Sequence, residues 1–267
     1  MKFGTGVGIV ISCIGIAMGA TMEGTNVAVV INIPAILIVL VGTLGATIAA
    51  CGLEAHIRLP MIYKKAFMPD DLDLVERVNE LVSFADKARR DGLLALDEAV
   101  KDIDDPFTRK GVQLVVDGTD PDLVAAVLDA ENEAMRKRHG AGRAPFMQAG
   151  ALAPTMGIVG TVFGLVNVMN NLNQPETLGP LIAAAFLATL IGVGSANVVF
   201  LPVANRLKEL SEAELHFREM TLEGILAIQA GDNPRVVAEK LMAYVPPAQR
   251  PSEEQQAAAA AEQKQAA

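Results

Sequence analysis

The chain has 267 residues, of which 51% are hydrophobic and 20% are charged, and its formal net charge is −9. A mean hydropathy of +0.35 beside so many charges requires apolar and charged residues to occupy separate stretches. The acidic balance argues against a nucleic-acid partner, which needs a basic patch. Cys13 and Cys51 lie in apolar runs without the companions that a disulfide or zinc site requires. No nucleotide-binding loop, zinc-protease or serine-hydrolase motif occurs, so we expect neither an enzyme nor a bound cofactor.

The first predicted elements are two membrane helices, Phe3 to Met22 and about Ile33 to Cys51, separated by the loop from Glu23 to Asn32. A helix of about 20 apolar residues crosses a hydrocarbon core of about 30 Å, and both runs approach that length. Lys2 before the first run imitates a signal peptide, but a second apolar run follows at once. We therefore expect the first run to be retained as a helix.

The charged stretch 53–145 is predicted to be a helical insert. Asp70 and Asp71 precede an amphipathic run from Leu72 to about Arg90, Gly92 breaks it, and a helical period resumes from Leu93 to Ile103. The pattern favours helices joined by short turns.

Further helix starts in the insert carry a capping side chain followed by proline, at Asp105-Pro106 and Thr119-Asp120-Pro121. The triplet Asp117, Asp120 and Asp122 is interpreted as capping rather than as a cation site. Its spacing is not that of a calcium loop, and Pro121 explains the start.

A second pair of membrane helices is predicted at Phe146 to Asn170 and Leu178 to Ala204. Between Arg143 and Arg206 the only charged residue is Glu176, which lies where the apolar run is broken. Neither helix therefore supplies a charged side chain that can bind or relay an ion. If this hairpin lines an ion path, the titrating group belongs to another chain.

Proline and threonine are the candidate functional residues of this hairpin. Pro154 and Thr161 lie in its first helix, and Thr189 and Pro202 lie in its second. Such helices can present hydroxyls and freed carbonyls to a dehydrated cation; equally, the threonines can bond only their own helix carbonyls. The pairs Gly4/Gly8, Gly15/Gly19 and Gly160/Gly164 place small residues one turn apart, which permits close helix contact between subunits or within one.

Basic residues set the orientation, because cytoplasmic flanks are enriched in them. The loops Glu23 to Asn32 and Asn171 to Gly179 contain none, whereas the other helix ends are rich in Lys and Arg. The expected fold is an all-α membrane protein with four transmembrane helices, a large cytoplasmic insert and cytoplasmic termini. We divide it into 1–52, 53–145, 146–204, a helical tail 205–246 and a tail 247–267.

The tail contains one more pair of helix boundaries, a stop at Gly231 and a start at Asn233-Pro234. From Pro247 to Ala267 no apolar period remains, and disorder is predicted.

Six stretches, in this order and topology, resemble the flagellar motor stator A subunits (MotA and PomA) of the MotA/TolQ/ExbB channel superfamily. They run from Ala88 to Glu98, Ala153 to Thr161, Ala188 to Gly192, Phe200 to Ala204, Ile225 to Gln229 and Asn233 to Arg235. The resemblance extends from the first helix to about Tyr244.

The resemblance implies a ring of A subunits, a pentamer in the family, around B subunits that each supply an ion-binding aspartate. It implies that Arg89 and Asp97, with Arg90 and Glu98 beside them, face the rotor protein FliG. Asp97 departs from the usual glutamate and keeps its charge on a shorter side chain.

Two further members of the motif concern the ion path. Pro154 and Pro202 match the prolines that shape the ring-lining helices. Thr161 and Thr189 match hydroxyl positions of sodium-type members, which favours sodium over protons, although Ala188 departs from the Thr-Thr pair of some of these. The alternatives are an ExbB/TolQ-like energiser of a periplasmic process and a membrane scaffold without ion flux; a self-contained transporter ranks last because the helices lack a charged site.

Overall fold

The computed structural model of the chain describes residues 4–25, 30–69 and 71–250, and within these ranges it contains helices and turns but no strand. The helices are α1 Gly4–Met22, α2 Ile33–Cys51, α3 Leu53–Ile57, α4 Leu59–Phe67, α5 Leu74–Asp91, α6 Leu96–Asp102, α7 Pro106–Val116, α8 Pro121–Asn170, α9 Pro175–Gln229 and α10 Pro234–Met242. One π-helical turn lies within α2, at Leu37–Val41, and another within α9, at Ala196–Phe200. The all-α prediction is confirmed.

The chain forms two compact units, each built from two separate segments. Unit 1 combines 1–70 with 137–211, and unit 2 combines 71–136 with 212–267. The helical insert and the region after the fourth apolar run thus share one unit. Residues 251–267, which include most of the tail predicted to be disordered, lie outside the described residues, as do 1–3, 26–29 and Asp70.

The four predicted membrane spans are confirmed by helices that are long and apolar enough to cross a bilayer. Their bounds differ from the prediction in the second pair. Helix α8 begins at Pro121 rather than Phe146, and α9 begins at Pro175 and continues to Gln229. The predicted bounds followed hydropathy, which marks where side chains change from polar to apolar. The helical backbone hydrogen bonds continue past those points through polar residues that also favour helices. Proline at the first helical position explains the start at Pro175.

An aromatic cluster fixes α4 within unit 1. The ring centroid of Tyr63 lies 4.8 Å from that of Phe67 and 6.1 Å from that of Phe146 in α8. Nearby, Arg143 Nε donates to the carbonyl oxygen of Ala204 at 3.0 Å. These contacts join α4, α8 and α9 through side chains that the sequence places at the ends of the apolar runs.

Unit 2 has its own hydrophobic core, to which both of its chain segments contribute. Its fully buried side chains include Leu81, Leu96, Phe107, Val112, Val115, Leu128, Met220, Ile225 and Leu241. Burial of apolar surface on this scale is the main stabilising contribution to such a unit.

The predicted helix boundaries of unit 2 are largely confirmed. Asp105 caps α7 and Asn233 caps α10, each accepting hydrogen bonds from backbone amides of the first turn. Gly92 and Gly231 have φ of +86° and +74°, a left-handed conformation that favours glycine. Asp120 accepts from the amide of Asp122 at 3.0 Å, as expected for a cap.

One boundary prediction was wrong. Helix α5 begins at Leu74, not Leu72, because Asp73 is the residue whose carboxylate reaches the amides of Val75 and Glu76, at 2.9 and 3.0 Å. Of the tail predicted to be disordered, the structure describes only 247–250, in which Pro247–Gln249 forms a 3₁₀ turn; disorder of the remaining residues stays a prediction. Arg250 stabilises that turn by donating from Nε to the carbonyl oxygen of Val245 at 2.9 Å.

Arg77 connects three parts of unit 2. Its guanidinium lies 2.8 Å from Glu80 Oε2, donates to Thr108 Oγ1 at 2.9 Å and lies 3.5 Å from Asp105 Oδ2. It also stacks on the Phe217 ring, 5.0 Å from the centroid. Burial raises the pKa of the Glu80 carboxyl, and Arg77 opposes that rise. Because the folded pKa lies above the unfolded one, ionisation of Glu80 reduces stability as the pH rises through that interval.

Substitution of Arg77 by methionine is expected to lower the free energy of unfolding by about 2–4 kcal/mol, since it leaves partly buried carboxylates without their cation. The loss should be largest at neutral pH and smaller in acid, where those carboxyls are protonated. Thermal unfolding of the purified chain at two pH values measures it. Arg90→Met is the matched control: its side chain is 58% exposed and has one ion pair, so its loss should stay below about 1 kcal/mol. Equal losses would contradict a role for the Arg77 network.

Candidate functional site

Helices α8 and α9 pack backbone to backbone in unit 1. A Cβ atom added to Gly157 would lie 2.9 Å from the carbonyl oxygen of Ala188, and one added to Gly164 would lie 2.5 Å from Ala185 Cβ. From the other side, a Cβ on Gly192 would lie 2.5 Å from the carbonyl oxygen of Ala153. Small residues therefore allow a contact that larger side chains would prevent.

This contact decides between the two interpretations of the Gly160/Gly164 pair, because both glycines pack against α9 of the same chain. The pairs in α1 differ. Gly4, Gly8, Gly15 and Gly19 would each place an added Cβ in open space, with no atom from another part of the described chain within 4 Å.

Thr161 and Thr189 lie where the two helices are in contact. Their hydroxyl oxygens are 2.5 Å apart, across the helix pair. Thr161 Oγ1 is also 3.1 Å from the carbonyl oxygen of Gly157 in its own helix and 3.0 Å from that of Ala185 in α9. We call these two hydroxyls and two carbonyls the oxygen cluster. Each hydroxyl brings a single proton, so the cluster has more acceptor capacity than donors.

The oxygen cluster is not sealed inside the chain. Both threonines are half-buried, whereas the small residues beside them, Ala188 and Gly192, are buried. Large apolar side chains nearby in sequence are exposed, including Ile158 at 57% and Phe186 at 62%. The cluster therefore reaches a surface of α8 and α9 that a further membrane helix can cover.

Pro154 and Pro202 shape the helices away from the cluster. Pro154 lies inside α8 and removes the donor that would bond the carbonyl of Gly150. Pro202 follows the π turn of α9, in which the amide of Leu201 bonds the carbonyl of Ala196. The wider π turn relieves the crowding that a proline ring causes in the preceding turn. Both prolines were identified in the sequence as candidate functional residues, but the π turn was not predicted.

Helix α2 packs against the α8–α9 pair with a stripe of residues four apart. Ala35 and Val39 are buried with Ala188 of α9. The stripe continues with Thr43 and Thr47, each 2% exposed. These threonines were missed because α2 is apolar on all sides, so the sequence does not reveal which of its faces is buried.

The two buried threonines of α2 differ in their bonding. Thr47 Oγ1 donates to the carbonyl oxygen of Leu44 at 2.9 Å and lies 3.1 Å from His56 Nε2. Thr43 Oγ1 has no hydrogen-bond partner among the described residues. A buried hydroxyl in that state costs about 1–3 kcal/mol.

The charged candidates lie in unit 2, on both sides of a turn. Arg89 and Arg90 are exposed at the end of α5, and Asp97 and Glu98 are exposed in the first turn of α6. Arg90 pairs with Asp86 one turn earlier. Helix dipoles favour basic groups at a C-terminus and acidic groups at an N-terminus. The two arginines therefore stabilise the end of α5, and the two acidic residues stabilise the start of α6.

Comparison with known proteins identifies the family of the chain. The model of the MotA/TolQ/ExbB proton channel family matches residues 99–220. Motility protein A of Bacillus subtilis is 35% identical over 245 residues, covering 91% of each chain. Chemotaxis protein PomA of Vibrio alginolyticus is 35% identical over 239 residues, covering 88% of this chain and 92% of its own.

Solved structures extend the likeness to the fold. The flagellar MotAB stator complex of Bacillus subtilis contains a chain that is 35% identical, with a TM-score of 0.85 and coverage of 90% of this chain and 94% of that one. The structure of C. jejuni MotAB gives a TM-score of 0.89 at 28% identity, covering 92% and 97%. The chain therefore belongs to the motility protein A (MotA/PomA) branch of the MotA/TolQ/ExbB proton channel family.

Proposed function

We propose that the chain is the A subunit of a flagellar motor stator, which conducts a cation together with a B subunit and converts the ion flow into torque on the rotor. The relatives include Motility protein A and PomA, and the similar structures are MotAB stator complexes. In this assignment the chain is a homo-oligomer, a pentamer in the family's pattern, in contact with lipid. It lies in the bacterial inner membrane with both termini in the cytoplasm.

The observation that carries the proposal is the oxygen cluster at membrane depth without an ionisable partner. Between Arg143 and Arg206 the chain offers only Glu176, which lies in the first turn of α9. A carboxylate from a B subunit, placed against the exposed side of the cluster, completes a site with charge and neutral oxygens. The aspartate of the B subunit is the group that the family pattern supplies.

Sodium is the proposed ion because it requires several oxygen atoms to replace its hydration shell. Thr161 and Thr189 bring two hydroxyl oxygens within 2.5 Å of each other, and the carbonyls of Gly157 and Ala185 lie beside them. A proton needs only a carboxylate. The cross-helix contact of the threonines also supports a pathway over a scaffold, in which each hydroxyl would bond only carbonyls of its own helix, as Thr161 does in part with Gly157.

The contact with the rotor is proposed at Arg89, Arg90, Asp97 and Glu98, with FliG as the partner. The four side chains are exposed and carry opposite signs on the two sides of one turn. Such an arrangement orients a partner with the complementary order of charges.

Swimming speed in a flagellated cell without its own stator, expressing the chain with its B subunit, is expected to rise with external sodium at fixed pH and to vanish without it. Motility that ignores sodium but is lost with a protonophore would contradict the choice of ion and leave the stator assignment in place. No motility with a verified B subunit would contradict the stator assignment and favour the energiser or the scaffold.

A further inference from the structure

The turn between α5 and α6 holds an exposed leucine. Gly92, with φ of +86°, reverses the chain and leads into the 3₁₀ turn Leu93–Ala95. Leu94 in that turn is 76% exposed, more than any other large hydrophobic residue among the described residues of unit 2, where the next values are Leu123 at 54% and Val236 at 51%.

The neighbours of Leu94 keep it in this position. Leu93 packs against the core of unit 2, and Leu96 is fully buried in it. Leu93 and Leu96 flank Leu94 within four residues, so Leu94 cannot move into the core unless one of them leaves it. The core of unit 2 thus fixes an apolar side chain in solvent.

A single exposed leucine is common on protein surfaces, but the residues around this one are not a random set. Arg89 and Arg90 precede the turn, Asp97 and Glu98 follow it, and all are exposed. Exposed charge pairs contribute little, whereas an interface gains most of its affinity from a few residues that fill desolvated pockets near its centre, inside a polar rim. The charged residues alone therefore make a weak contact.

We propose that Leu94 is the apolar anchor of the rotor contact and inserts into an apolar recess on the rotor protein. The partner face carries an acidic group opposite the arginines and a basic group opposite Asp97 and Glu98. The charges select and orient the rotor protein, and Leu94 supplies the affinity. The inference rests on the proposed function and adds a residue and a surface chemistry to it.

Leu94→Asn is expected to reduce the number of stator units bound at the motor by about tenfold, as for loss of an interface anchor. The readout is the fluorescence of the tagged full-length chain at individual motors, in cells that also express the B subunit and the rotor. Leu94→Met, which keeps an apolar side chain of similar size, should restore most of the binding. The amount of chain in the membrane and its copurification with the B subunit report folding.

Leu123→Asn is the matched control, because Leu123 is the next most exposed leucine of unit 2 and is remote in sequence from the charged turn. Equal losses for the two asparagine variants, or no loss for Leu94→Asn, would overturn the inference while motility of the unsubstituted chain upholds the proposed function. If the unsubstituted chain drives no rotation, both fail.

A photo-crosslinking residue at position 94 identifies what Leu94 contacts. An adduct with the rotor protein is the expected result. An adduct with a second copy of the chain, or none in cells that swim, would overturn the inference.

Discussion

Substitution of Gly192 by alanine is expected to abolish rotation. The added Cβ would lie 2.5 Å from the carbonyl oxygen of Ala153 and 3.1 Å from Gly157 Cα. These are backbone atoms and cannot turn aside, so α8 and α9 must separate. Overpacking of this kind costs about 1–3 kcal/mol, and the separation also lengthens the contact between Thr161 and Thr189. Thermal unfolding of the purified complex and rotation of tethered cells measure the two effects.

Gly194→Ala is the control for this prediction, because it makes the same chemical change in the same helix. An added Cβ at Gly194 would lie more than 4 Å from every other described part of the chain outside its own helix turn, so we expect stability and rotation to remain close to those of the unsubstituted chain. If the two variants behave alike, the close approach of α8 and α9 is not what the complex depends on. Loss of rotation for Gly194→Ala alone would point instead to a contact with another subunit.

Removal of the Thr161 hydroxyl is expected to raise the sodium concentration required for half-maximal swimming speed by about tenfold, equivalent to about 1.4 kcal/mol. Thr161→Ala takes away the oxygen that lies 2.5 Å from Thr189 Oγ1 and 3.0 Å from the Ala185 carbonyl. A neutral oxygen that helps to replace the hydration shell is lost with it. Thr161→Ser keeps the hydroxyl and should retain most of the sodium response.

Thr21→Ala separates this effect from the general loss of a threonine in a membrane helix. The Thr21 hydroxyl is exposed and, among the described residues, bonds the carbonyl oxygen of Met18 in its own helix at 2.8 Å. We expect its sodium response to match that of the unsubstituted chain. An unchanged sodium requirement in Thr161→Ala would exclude the oxygen cluster as a sodium ligand.

Local features of the fold were predictable because their causes lie within a few residues. The caps at Asp105 and Asn233 and the stops at Gly92 and Gly231 follow from side-chain reach and backbone freedom. The extension of α8 back to Pro121 was not predictable from hydropathy, because a change from polar to apolar side chains does not interrupt a helix.

The candidate site also has features that the sequence predicted and features that it did not. Thr161 and Thr189 stand out in sequence because they are polar residues in charge-free apolar runs, but their 2.5 Å contact depends on the glycines that bring the helices together. Thr43 was missed because burial on an apolar helix has no periodic signature. Leu94 is exposed because its neighbours Leu93 and Leu96 pack into the core. The sequence has three leucines in this short segment and does not reveal which of them is left outside.

The two-segment construction of unit 2 has a consequence for biosynthesis. Phe217, Met220 and Ile225, which lie in its core, are translated after the whole of 137–211. The segment 71–136 therefore emerges from the ribosome with an incomplete core and cannot mature until the last membrane helix has been made. The turn between α5 and α6, which we propose contacts the rotor, is in this way completed only after the chain has all of its membrane spans, so a truncated product would lack that finished surface.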